Sequence, residues 1–166
     1  MLVGDRGMHR YYGRSLTLFV TTLMALGPTT SIADTGIGSA TAVANQVEGI
    51  VRGQTQTLSS GSAVYSNEVV RTGQDSIAEL GFVDNTKLSV GPKSEMRLDK
   101  FVYNPNKGTG AVVVQATRGS YRFVTGVQDH ESYKIKTPYA TLGVRGTILE
   151  IVLVENKGKR EKVRNR

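Results

Sequence analysis

The chain has 166 residues, a formal charge of +7 and no cysteine, a length that fits one hydrophobic core and excludes a second large domain. Without cysteine there is no disulfide, no thiolate chemistry, no Cys-ligated zinc and no lipid-modified N-terminal cysteine. The charge is confined to the ends: residues 1–33 carry +2 and residues 157–166 carry +5, so residues 34–156 are formally neutral. A neutral middle lacks the clustered cations with which a nucleic-acid-binding domain replaces phosphate counterions, and nucleic acid is not an expected partner.

Arg10 and Arg14 precede an apolar run from Leu16 to Leu26 broken only by threonines, then Pro28 and the small residues around Ser31 and Ala33. Basic, apolar and small-residue regions in that order describe a secretory signal peptide over residues 1–33, with cleavage after Ala33. Met8 offers an equivalent start. The apolar run is shorter than the ~20 residues that a bilayer core requires, so cleavage rather than anchoring is expected, with no spanning segment left and a periplasmic or secreted product. Residues 34–45 are small and weakly patterned, with Gly36, Gly38, Ser39, Ala40 and Ala42, and read as a flexible mature N-terminus.

From Gln46 onward, apolar residues recur with period two rather than at helical spacing. Ala78, Leu80 and Phe82 share one face, and Leu88 with Val90 repeats the pattern across Asp84-Asn85-Thr86, whose residues suit a tight hairpin. Met96 with Leu98, Tyr121 with Phe123, and Tyr133 with Ile135 mark three further strands. Ala111–Val114 and Ile148–Val154 are nearly continuous apolar runs, which fits mid-sheet positions covered on both faces. Turn signals at Gly61, Gly73, Gly91-Pro92, residues 104–108, Arg118-Gly119 and Thr137-Pro138 separate the runs. The expected fold is all-β, with short twisted strands in a sandwich or solenoid-like arrangement over residues 46–155.

Three segments taken together carry a family resemblance: VEGIVRG at 47–53, VVRTGQDSIAELGFV at 69–83 continuing as DNTKLSVGPKSEMRLD at 84–99, and IKTPYATLGVRGTIL at 135–149. They resemble, in order and spacing, the V-x-T-G, D-x-T, L-x-V-G-P-x-S and V-R-G-T motifs of the FecR-type periplasmic domain. The resemblance implies a β-rich domain best known as the outer part of regulators that relay a ferric-siderophore signal to a cytoplasmic sigma factor. Those regulators carry a sigma-binding segment and a spanning helix ahead of the domain. This chain has a signal-peptide pattern there instead, and is similar to stand-alone exported members. Gly49, Gly73, Gly91, Gly143 and Gly146 read as turn or close-approach positions.

The residues offer no catalytic, cofactor-binding or metal-binding constellation, so no catalytic or binding residue and no cofactor is expected. His130 is the one histidine after residue 33 and reads as a loop residue. Asp75, Glu79, Asp84, Glu95 and Asp99 read as solvated strand-face charges rather than an acid/base pair or calcium loop. Gly108-Thr109-Gly110 lacks the Gly-Lys-Ser/Thr that a phosphate loop needs. Tyr65, Tyr103, Tyr121, Tyr133 and Tyr139 read as packing residues rather than a stacking groove.

Residues 156–166 read as a basic, disordered tail. The abrupt passage from Ile148–Val154 into that tail is what a truncated or frameshifted domain would present, and a missing strand would leave an open sheet edge able to pair with itself or with a partner. The expected function is therefore that of a non-enzymatic, exported protein-interaction or envelope module with an envelope protein as partner. The resemblance implies the alternative, a periplasmic sensor component in iron-responsive cell-surface signalling.

Overall fold

A computed structural model describes residues 35–107 and 109–153; the expected signal peptide and basic tail lie outside them. Twelve strands follow in order among the described residues: β1 (Gly36–Ala44), β2 (Val47–Val51), β3 (Gln54–Thr57), β4 (Ala63–Tyr65), β5 (Val69–Thr72), β6 (Ile77–Phe82), β7 (Lys87–Val90), β8 (Glu95–Asn104), β9 (Thr109–Val124), β10 (Tyr133–Lys136), β11 (Thr141–Gly143) and β12 (Ile148–Leu153). One 3-10 turn, His130–Ser132, precedes β10. The all-β expectation holds, and the strands form one sheet in the order β3-β2-β5-β8-β9-β7-β6-β1-β4, curled into an antiparallel half-barrel. β10 joins β9 in parallel and β11 continues from β10.

β9 is 16 residues long and belongs to two leaves. Its first part lies between β8 and β10, and its last part lies between β7 and β12. The handover sits where the β8–β9 register shifts between Glu95 and Met96. There Gly119 adopts φ +102°, a conformation that a side chain makes costly.

Alternation along these strands builds a single core from both leaves. Ala78, Leu80, Leu88, Val90 and Phe123 point inward from one, and Val47, Val70, Met96, Leu98, Val112 and Val114 from the other. Each fully buried Val, Leu or Phe contributes roughly 1.5–3 kcal/mol. β3 adds backbone pairing without such burial, since all four of its residues are exposed.

Three expectations are corrected. Residues 36–44 are not a loose lead-in but the strand β1, inserted between β4 and β6. Their small size is what the insertion requires, because a Cβ on Gly38 would lie 2.2 Å from the Gly81 carbonyl oxygen. β12 is not mid-sheet: it pairs with β9 alone among the described residues, and Ile148 and Val152 are 51% and 70% exposed. Gly143 lies within β11 with open space where a Cβ would stand, so it marks neither a turn nor a close approach.

Gly119→Ala should lower unfolding free energy by roughly 2–4 kcal/mol, from backbone strain plus overlap with Ser94. Gly143→Ala should leave it within about 0.5 kcal/mol or raise it slightly. Urea unfolding of both variants checks the contrast.

Candidate functional site

Two of the family-like motifs, V-x-T-G and L-x-V-G-P-x-S, meet at one corner of the fold. The Thr72 hydroxyl donates to the Gly91 carbonyl at 2.6 Å and accepts from the Ser94 amide at 2.9 Å. The Ser94 hydroxyl accepts from the Ser120 amide at 3.1 Å and lies 3.1 Å from the Pro92 carbonyl, while the Gly91 amide donates to the Ser120 carbonyl at 2.8 Å. Tyr121 completes the corner, its hydroxyl set between the carbonyls of Glu95, at 2.6 Å, and Arg118. Burial raises the Tyr121 pKa to about 12, against the lowering effect of hydrogen bonds at Glu95 and Arg118. This phenol is a structural clasp rather than an acid or base for chemistry near neutral pH.

Asp84 is fully buried, which corrects its reading as a solvated charge. Its carboxylate accepts from the Thr86 amide (3.0 Å), the Thr86 hydroxyl (2.8 Å), the Gln128 amide nitrogen Nε2 (2.7 Å) and the Tyr133 hydroxyl (3.2 Å). The hairpin read from Asp84-Asn85-Thr86 is present, with Asn85 at φ 66°. It also clamps the connection that leads into β10, and this long-range role leaves no local signal in the sequence. Burial raises the Tyr133 pKa, joined by the Asp84 carboxylate and opposed by hydrogen bonds at Thr86 and Gln128.

Glu68 was not singled out by the sequence and is fully buried, with Oε1 lacking a hydrogen-bond partner. Oε2 accepts from the Tyr65 amide at 2.8 Å. Burial pushes its pKa up, against hydrogen bonds from Tyr65 and Gln56. Gly49 makes room for it, since a Cβ there would lie 2.0 Å from Oε1. The VEGIVRG segment at 47–53 thus seats a carboxylate from a neighbouring turn, a pairing that spacing alone does not disclose.

The remaining candidates are dispersed. His130 is exposed in its turn. Glu95 is held by Arg71 at 3.0 Å and Arg118 at 3.3 Å, and Asp99 by Lys136 at 2.9 Å; Asp75 and Glu79 are exposed. Tyr121 and Tyr133 are buried, Tyr65 and Tyr103 partly so, and Tyr139 is 75% exposed, which corrects its reading as a packing residue. Thr109 and Gly110 open β9 beyond the β8–β9 turn. Among the described residues no group of three or more His, Cys, Asp or Glu is placed to hold a metal ion.

Two further surface features bear on binding. A groove of about 550 Å³ is lined by Ile37, Ser66, Asn67, Phe101, Val102 and Tyr103, among others, with Phe101 stacked on Phe82 at 5.5 Å. The other is the outer edge of β12. A profile described as FecR protein matches residues 68–164, more than half of the chain. The chain belongs to the FecR family. FecR domains mediate protein interactions in signalling, are typically periplasmic and are not known as enzymes. Membership therefore points to involvement in cell-surface signalling. The FecR match starts after the 47–53 segment and continues through much of the stretch read as a tail. No curated protein and no solved structure matches the chain. Among the described residues no helix is long and apolar enough to cross a membrane.

Asp84→Ala should cost roughly 3–5 kcal/mol, because buried donors on Thr86, Gln128 and Tyr133 lose their acceptor together; denaturant titration measures it. For Glu68, the folded state holds a proton to higher pH than the unfolded state. Its contribution is therefore fully present below the unfolded value of about 4.5 and is lost as pH rises through the folded value. Glu68→Gln should unfold at a higher temperature than the parent at pH 7, with the gap closing near pH 4, in paired thermal melts.

Proposed function

We propose that this FecR-family chain is an exported, non-catalytic interaction module of the cell envelope that binds an envelope protein by accepting a strand along β12. The observation that carries the reading is the edge itself: six residues paired on one side only among the described residues, with apolar Ile148 and Val152 exposed. Unpaired backbone donors and acceptors beside apolar side chains are what strand addition uses for affinity and specificity. Export rests on the signal-like order of residues 1–33, and the protein-binding role accords with the family.

Thr125 donates its amide to the Thr147 carbonyl at 3.0 Å. By the two-residue period of the ladder, Leu149, Ile151 and Leu153 then direct their amides and carbonyls to β9, while Ile148, Glu150 and Val152 direct theirs outward. Val152→Pro removes one outward donor without taking one from the β9 ladder. It should keep the β-sheet circular dichroism of the parent while abolishing co-purification of envelope proteins after cross-linking in cells. Undiminished co-purification would reject β12 as the binding edge.

A second reading, a sensor component in iron-responsive cell-surface signalling, is favoured by family membership. Unchanged iron-responsive transcription after deletion of the gene would reject it.

A further inference from the structure

We propose that the strand accepted by β12 is β12 of a second copy of this chain, added antiparallel about a two-fold axis that passes beside Ile151. This rests on the strand-addition reading above and takes the envelope protein bound along β12 to be a second copy of the chain itself.

β12 differs from the other outer strands. β3 is polar and exposed throughout, and β4 and β11 are three residues each. β12 has six residues, a single charge at Glu150, and no proline or lysine of the kind that blunts sheet edges. Its inward row, Leu149, Ile151 and Leu153, packs on the core yet leaves Leu149 and Leu153 only partly covered.

The pairing geometry selects a register. A two-fold axis perpendicular to the sheet places opposed residues on the same face, so residues of like parity must meet. Centred on Glu150, the seam would oppose that carboxylate to its own mate, a like-charge pair that destabilises a ladder. Centred on Ile151, it opposes Ile151 to Ile151 and Leu149 to Leu153, which joins the two inward rows into one apolar layer. In that register Glu150 faces Val152 of the other copy. These residues carry the outward amides and carbonyls, so two closely spaced hydrogen-bonded pairs form on either side of the axis. Glu150 also keeps its own counter-ion, Arg122, at 3.6 Å. The edge is thus complementary to itself one residue away from the register that its charge forbids.

The test uses the full chain, purified after expression with its own N-terminus, and reads mass by light scattering across a dilution series. The expected result is twice the chain mass, falling to one on dilution. Val152→Glu sets a carboxylate opposite Glu150 of the other copy and should weaken association at least ten-fold. Val152→Lys sets an ammonium there and should retain the dimer. Because the native chain has no cysteine, Ile151→Cys should yield an oxidised, disulfide-linked dimer, and Glu150→Cys should yield far less.

A parent chain that is monomeric at every concentration overturns the proposal. So does a dimer indifferent to Val152→Glu, or one that cross-links better through the Glu150→Cys variant. A monomeric parent whose envelope co-purification is still lost in Val152→Pro would overturn self-pairing alone and leave strand addition standing.

Discussion

The fold depends on one strand changing neighbours. β9 leaves β8 and takes up β7 within a few residues, and the backbone there must turn while both leaves remain hydrogen-bonded. Gly119 supplies the turn at φ +102°, and Ser94 fills the space where a side chain would have stood. The Thr72, Gly91, Ser94 and Ser120 bonds fasten the two leaves across that point. Had β9 ended at the corner, two smaller sheets would each have carried an exposed edge in place of a shared strand.

The polar interior follows from the same curvature. A half-barrel brings turns from distant parts of the chain over one core, and their backbone groups need partners where water does not reach. Asp84 meets that need for the segment entering β10 with four donors on one carboxylate. Glu68 meets it only in part, serving the Tyr65 amide while Oε1 stays unpaired. The two buried acids therefore differ in kind: one is saturated, and the other resists ionisation because burial costs it more than its bonds return.

Much of the architecture was legible because period two is a local signal. Ala78, Leu80, Phe82, Leu88, Val90, Met96, Leu98, Phe123 and Ile135 all point inward as their alternation required. β1 is not legible because its strand needs absence of bulk rather than apolar side chains, and Gly38 and Ala40 resemble a linker until β6 lies against them. The edge position of β12 is not legible because a continuous apolar run describes a strand covered on both faces as well as one that is uncovered at an edge. Composition cannot separate these two. The charged residues were the least legible: Asp84 and Glu68 share a residue class with Glu79, and only tertiary neighbours decide which of them are buried.

The position of β1 also bears on the order of events when the chain is made. β1 is the first of the described strands to be synthesised, yet it lies between β4 and β6, and the Thr41 hydroxyl reaches the Glu79 carbonyl across 38 residues. A strand with few large apolar groups has little to hold it in place alone, so it must wait until both neighbours exist. The β10 and β12 pairings with β9 close later still. The topology therefore postpones assembly until nearly the whole domain is available, with high contact order and a correspondingly slow nucleation step.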